Sequence, residues 1–505
     1  MAADKGAVAV IGAGFSGMTA ALLLARKGYR VTLLERSPRI GMTARGFFRE
    51  GVYFDSGLHY SGGLAENGLV SRYLRYLGFG QLESVSFSEN CFDEISFADT
   101  GKTVRLPIGF ERMNIALQAA FPAGNDAVAA YMRSARAVFA EERVTELLPD
   151  GREGLDALNA LSATDSGETL AGFLDAVTDD PHLRAVLSIH AFLYGSRPSE
   201  VPFAQHARVA ASYFDSVHGF AGGGRALVEA FAGRLAEEGV VVRCNTAVRR
   251  MVCGGGNRLD RLELADGSSL PVDACICTTH PAALADMAPG VFRPAYHTRL
   301  RSLQDSASGY MLFGIAETLP RRLAGGNLFL CRDADLERAF SDTAVPEHGP
   351  FYVTASPQPE GSSRCGVVVI APGSFADVEE WVDSPRASRP AAYTNFKEKT
   401  LTKIGKVVTE FCPDLASVRF VDGATPLTLR DYLHTPRGGL YGARHTASQF
   451  NPLPVTRVAN LFLAGQAVVA PGLMGAMFSA FLACGIFFAA NRKQNSQTQK
   501  DMQCD

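Results

Sequence analysis

The stretch from Ala7 to Glu35 constrains this chain more than any other. Ala7 to Ile11 is a short apolar strand pattern, closed by Gly12-Ala13-Gly14-Phe15-Ser16-Gly17. A helical pattern runs on to about Lys27, Gly28 stands where a helix is capped, and Arg30 to Leu34 reads as a second parallel strand ending at Glu35. Strand, glycine turn, helix, strand and terminal acid together form a dinucleotide-binding βαβ unit. Gly12 permits the tight turn, Gly14 lets backbone approach a pyrophosphate, and Gly17 lets the helix close on the strand. The helix N-terminus, with Ala13, Phe15 and Ser16 around it, faces negative charge. Glu35 stands where a carboxylate accepts hydrogen bonds from ribose hydroxyls, which disfavours a phosphorylated ribose. On these residues NAD and FAD both fit.

At 505 residues the chain exceeds one core, so two domains are expected. A net charge of −3 without a basic run excludes nucleic acid as a partner. The ten cysteines are scattered without CxxC or metal-ligand spacing, so no metal site is expected and a reducing compartment fits. The N-terminus lacks the basic region of a signal peptide. A cytoplasmic protein is expected, and an apolar substrate would permit peripheral attachment to a membrane.

After the second strand comes a glycine-bearing loop with Arg36, Arg39, Gly41, Met42 and Arg45, then Phe54-Asp55-Ser56-Gly57-Leu58-His59-Tyr60. Here the chain resembles the flavoprotein family of phytoene desaturases, carotenoid isomerases and retinol saturases, and within it the retinol saturase branch. The family loop usually has two adjacent glycines where this chain has Ile40-Gly41. The resemblance implies cofactor contacts from Arg36, Gly41, Met42 and Arg45. It sets Gly57, Leu58 and His59 beside the isoalloxazine ring.

Two later segments complete the same site by resemblance. Residues 219–278 read as strand, helix, strand, hairpin and strand, and place Val248 at the adenine. Asn460 to Gln466 is a buried strand ending in Gly465-Gln466, and Pro471-Gly472-Leu473-Met474-Gly475-Ala476 opens a long apolar helix. No charged residue occurs between Val458 and Asn491, a length that could cross a membrane. Yet Gly472, Gly475, Ala476, Ser479, Ala480, Ala483 and Cys484 form one small-residue face at helical spacing, suited to lying against a cofactor and sheet. A buried helix is expected, with its N-terminus at the flavin pyrimidine. The family uses its last helix in this way, which selects FAD over NAD.

The expected fold is α/β: a discontinuous Rossmann-like FAD-binding domain of amine-oxidase and GDP-dissociation-inhibitor architecture, with an inserted α+β substrate domain. The FAD domain takes 1–65, 215–290 and 425–491, and the substrate domain 66–214 and 291–424. The first insertion reads as largely helical, and 492–505 as a flexible tail. A second family-like stretch, Tyr432 to His445, should line the flavin mouth. His59, Tyr60 and Tyr441 are the candidate catalytic residues, while His190, His206, His218, His280 and His434 read as structural or surface.

No triad or paired carboxylates appear, as expected where the flavin itself moves hydride. The resemblance implies saturation of one double bond in an apolar polyene of retinoid or carotenoid type, with the electron donor open. Desaturation and cis–trans isomerisation stay open on the same fold. Amine oxidation is disfavoured because the single tryptophan, Trp381, lies far from the cofactor motifs. A non-catalytic isoprenoid carrier, like Rab escort proteins, is disfavoured by the intact glycine fingerprint.

Overall fold

Strand Ala7–Ile11 is central because nearly every side chain in it is buried on one face of a sheet or the other. Val8 and Val10 enter one core, whereas Ala9 and Ile11 enter another, the two-residue period of a strand covered on both sides. The computed structural model describes residues 5–80, 82–140, 167–255, 257–341, 343–359 and 361–501, without the side chains of 493–501.

Ala7–Ile11 pairs in parallel with Arg30–Leu34 on one side and Ala274–Cys277 on the other. Val241–Arg243 and Leu461–Leu463 complete a five-stranded parallel sheet at its two edges. Strands from the two ends and the middle of the chain thus meet in one layer. Helices Phe15–Arg26, Gly223–Glu237 and the apolar part of Gly472–Asp501 cover the Val8 and Val10 face. The antiparallel ribbon Val248–Cys253, Leu259–Leu264, Ser269–Pro271 covers the other, together with helix Pro281–Met287.

The last helix is long and apolar enough to cross a membrane, but 78% of its apolar window is buried inside the protein. Its small face carries the bonds that hold it there. Ser16 Oγ donates to the Ala476 carbonyl at 2.7 Å, and Ser479 Oγ accepts from the Gly465 amide at 2.9 Å. Phe481 stacks on Tyr73 with ring centroids 4.0 Å apart. The tail expected from residue 492 continues this helix as far as Asp501, and 502–505 lie outside the described residues.

The second sheet has seven strands in the order Arg419–Ala424, Ser308–Ala316, Cys365–Gly373, Phe351–Ser356, Asn327–Cys331, Asp93–Phe97, Thr103–Leu106. Its last two strands come from the first insertion, which is otherwise mostly helical among the described residues. The pattern is short but clear once located: Val104 and Leu106 are buried, while Thr103 and Arg105 face solvent. Helices Phe110–Ala120, Asn125–Ala140, Pro181–Ser188 and Phe203–Asp215 pack around a common core with this edge of the sheet. Within that core His206 is held at 2.9 Å from the Tyr131 hydroxyl and 2.8 Å from the Tyr194 hydroxyl.

Candidate cofactor and substrate site

A single elongated cavity of about 590 Å³ runs from the glycine turn to the second sheet. It lies within the size range of small-molecule sites. At one end stand Gly12, Ala13, Gly14, Phe15 and Ser16, with Glu35 and Arg36 beyond the second strand. Glu35 is fixed by its own backbone surroundings: its two oxygens accept from the Ala13 and Ser37 amides, each at 2.8 Å. Its remaining lone pairs are free for ribose hydroxyls. Met42 and Val248 line the same cavity, as do Gly465, Gln466 and Ala476 around the start of the last helix.

The other end is built from different chemistry. Gly57, Leu58, His59 and Tyr60 reach it from the cofactor side, and Phe192, Tyr213, Phe340, Tyr352, Ile370 and Tyr441 are among the other residues of its wall. Asp55 explains how that loop is aimed. Its Oδ1 accepts from the Tyr53 hydroxyl at 2.6 Å and from the Gly224 amide at 2.9 Å, at the start of helix Gly223–Glu237. Burial nevertheless pushes this carboxyl up to about 6.

The three catalytic candidates differ in state. The His59 side chain is half-buried with both ring nitrogens shut off from solvent, neither nitrogen has a hydrogen-bond partner, and burial lowers its pKa to about 4. Such orphaned polar atoms are costly unless a ligand satisfies them. The Tyr60 hydroxyl is committed to Asp93 Oδ2 at 3.1 Å, and burial with that charge raises it well above the usual phenol range. Asp93 also accepts from Asn327 at 2.8 Å and lies 3.1 Å from His190 Nε2. Burial pushes the Tyr441 phenol up to about 12.

Five named cofactor residues stand behind the cavity wall. A Cβ on Gly17 would lie 1.8 Å from the Gly12 carbonyl oxygen, and one on Gly475 would lie 2.3 Å from that of Ala470. Both glycines serve close packing. The Gly41 amide donates to the Ala13 carbonyl at 2.9 Å, which braces the turn. Met474 packs against the helical core, and Arg45 lies 4.0 Å from Glu229.

His280 and His434, read from sequence as structural or surface, both line the cavity. His280 also accepts the Ala282 amide and lies 2.9 Å from Asp305 Oδ1, and Asp305 Oδ2 accepts from the Arg437 amide at 3.1 Å in the loop before Tyr441. Tyr213 and Tyr352 were not legible, because each lies in an ordinary buried helix or strand pattern. The aromatic wall also weakens the argument from Trp381, which packs instead on Tyr393 and Phe396.

The residues present fit a flavin dinucleotide. A Cβ on Gly14 would meet nothing within 4 Å, so the turn opens directly onto cavity space, and the unpartnered His59 lies at the far end of the same space. Residues 15–312 match the family described as flavin containing amine oxidoreductase. The chain belongs to that family.

As a flavin containing amine oxidoreductase, the protein is an FAD-dependent oxidoreductase. It is 25% identical to all-trans-retinol 13,14-reductase of Danio rerio, over 97% of this chain and 89% of that one. It is 26% identical to hydroxyneurosporene desaturase of Cereibacter sphaeroides, over 91% and 92% respectively. A structure of putrescine oxidase bound to putrescine shares the fold, with TM-score 0.64, 15% identity and coverage of 97% and 99%.

His206 has its pKa lowered to about 3 and His59 to about 4, both by burial, against 6.5 when free. Below pH 6.5 the unfolded chain therefore binds protons that the fold refuses, and stability falls as pH drops toward 4. Asp55, raised to about 6, acts in the opposite sense between pH 6 and 4, with one group and a smaller shift. The melting temperature should fall across this window, and His206→Gln should flatten the slope. An unchanged slope in that variant would contradict the assignment.

Proposed function

We propose that the protein saturates one double bond of a long, apolar, conjugated substrate. The observation that carries this is the shape of the cavity. It passes from a dinucleotide turn into an apolar, aromatic chamber, and the only carboxylates among its described lining residues, Glu35 and Asp286, belong to cofactor-domain elements. Similarity over almost the whole chain to a retinol reductase and a carotenoid desaturase supports the same substrate class.

Reduced FAD supplies the hydride when bound. The chain supplies position and a proton. Phe192, Tyr213, Phe340 and Tyr352 hold the polyene in a dry slot. His59 is uncharged at neutral pH and presents one N–H and one acceptor nitrogen, which would orient the ligands bound in the cavity. Tyr441 remains protonated throughout the working range. Its hydroxyl proton goes to the carbon next to the one that takes hydride, so the double bond becomes a single bond between two newly hydrogenated carbons. Tyr60 is unsuited to that step because its proton is held by Asp93.

Tyr441→Phe should keep FAD and slow the substrate-linked half-reaction by about a hundredfold or more. His59→Ala should also keep FAD and slow it by about tenfold to a hundredfold, the loss expected for one buried hydrogen bond of roughly 1–3 kcal/mol. The His59 effect should not vary between pH 6 and 9. Stopped-flow rates normalised to bound flavin decide both. Wild-type rates at full occupancy would remove the residue from the mechanism.

The tyrosine-rich wall and the family also suit an amine substrate. Anaerobic mixing of oxidised enzyme with alkyl and polyamines tests that reading. Flavin bleaching by an amine, and none of the reduced flavin reoxidised by polyenes, would replace the present proposal.

A further inference from the structure

Two segments that touch each other carry an unusual charge pattern. Residues 287–304 and 432–465 contain Arg293, Arg299, Arg301, Arg437, Arg444 and Arg457, and neither contains an aspartate or glutamate. With the bordering Asp286, Asp305 and Asp431 counted, six arginines stand against three acids, in a chain whose net charge is −3. Arg301 pairs with Asp286 and Arg444 with Glu200, whereas Arg293 and Arg457 are exposed. Arg299 donates from Nε and Nη2 to the Phe450 carbonyl at 3.1 and 2.6 Å, which fixes the loop that follows the chamber-lining Tyr441 and Gly442.

That loop ends in an apolar tip. Phe450 is 76% exposed, Leu453 52% and Val455 38%, on a segment stiffened by Pro452 and Pro454. The Arg299 guanidinium lies 5.8 Å from the Phe450 ring. Protruding apolar side chains with arginines at their base match a bilayer surface, where rings enter the acyl boundary and guanidiniums meet lipid phosphates.

We propose that the loop 446–457, with helix Pro294–Arg301 behind it, docks the protein peripherally on an anionic lipid bilayer. This goes beyond the proposed reaction and does not depend on which bond is reduced, because docking is read without substrate. It also gives an apolar substrate a source next to the wall of the chamber.

The test is co-sedimentation of the FAD-loaded full chain with vesicles of phosphatidylcholine alone, or of phosphatidylcholine with phosphatidylserine, at low and high salt. Wild type should partition onto the anionic vesicles at low salt and at least about tenfold less onto neutral ones. Phe450→Ser with Leu453→Ser should lower anionic-vesicle partitioning about tenfold or more. Arg299→Gln with Arg457→Gln should abolish the preference for phosphatidylserine. Leu319→Ser, an exposed leucine elsewhere, is the control and should bind as wild type does. Flavin absorbance and far-ultraviolet dichroism verify folding, and Phe450→Ala repeats the test if the double variant fails to fold. Wild type remaining in the supernatant with both vesicles would overturn the proposal and favour a protein partner for the patch. Wild-type partitioning by the folded Phe450 variants would overturn it equally.

Discussion

Gly14→Trp yields folded protein without FAD, whereas Gly17→Val yields neither stable protein nor FAD binding. The two glycines lie three residues apart in one turn, and their surroundings explain the split. Space beside Gly14 is open to the cavity, so an indole is accommodated there by the protein alone and then blocks the pyrophosphate path. At Gly17 any Cβ lies 1.8 Å from the Gly12 carbonyl oxygen, so helix Phe15–Arg26 must lift off strand Ala7–Ile11. That overpacking, in the most buried part of the sheet, costs about 1–3 kcal/mol or more. Flavin absorbance after purification and thermal melting separate the outcomes. Full FAD occupancy in Gly14→Trp would contradict the cofactor path.

Truncation after Ala470 should leave no folded protein. The removed helix buries Met477, Phe478, Phe481, Leu482, Ile486 and Phe487 against the cofactor sheet and helix Phe15–Arg26. At roughly 1.5–3 kcal/mol for each large apolar side chain, their loss is about 9–18 kcal/mol, comparable to or above the whole stability of an ordinary domain, ~5–15 kcal/mol. The truncation also removes the Ala476 carbonyl that Ser16 bonds and the Ser479 hydroxyl that Gly465 bonds. Expression in inclusion bodies, or rapid proteolysis, is the expected result. A folded, yellow, more soluble product would show instead that the helix is a dispensable anchor.

The cofactor half of this protein was legible because its constraints are local. A glycine turn, an acid after the second strand and a small-residue helix face each follow from neighbours within a few residues, and the parallel sheet assembles around them. The substrate half depends on side chains brought together from distant elements. Tyr213 comes from helix Phe203–Asp215, Tyr352 from strand Phe351–Ser356, and Asp93 from a strand inside a mostly helical insertion. Nothing in the spacing of these residues announces a shared chamber. Tyr60 shows the same limit. Its place in the motif puts it among the candidates, but only the fold reveals that Asp93 already holds its proton.

The most direct test of the central claim is a single anaerobic mixing experiment in deuterated water. Holoenzyme reduced by dithionite, with excess reductant removed, is mixed with a long conjugated polyene, and flavin absorbance and product mass are followed together. The account predicts reoxidation of the flavin with a product that has gained two hydrogens. Both would appear as deuterium, one delivered through the reduced flavin, whose N–H hydrogen exchanges with solvent, and the other from the exchanged Tyr441 hydroxyl. A flavin that stays reduced before every polyene offered, while oxidised enzyme is bleached by polyenes or by amines, would contradict saturation as the reaction.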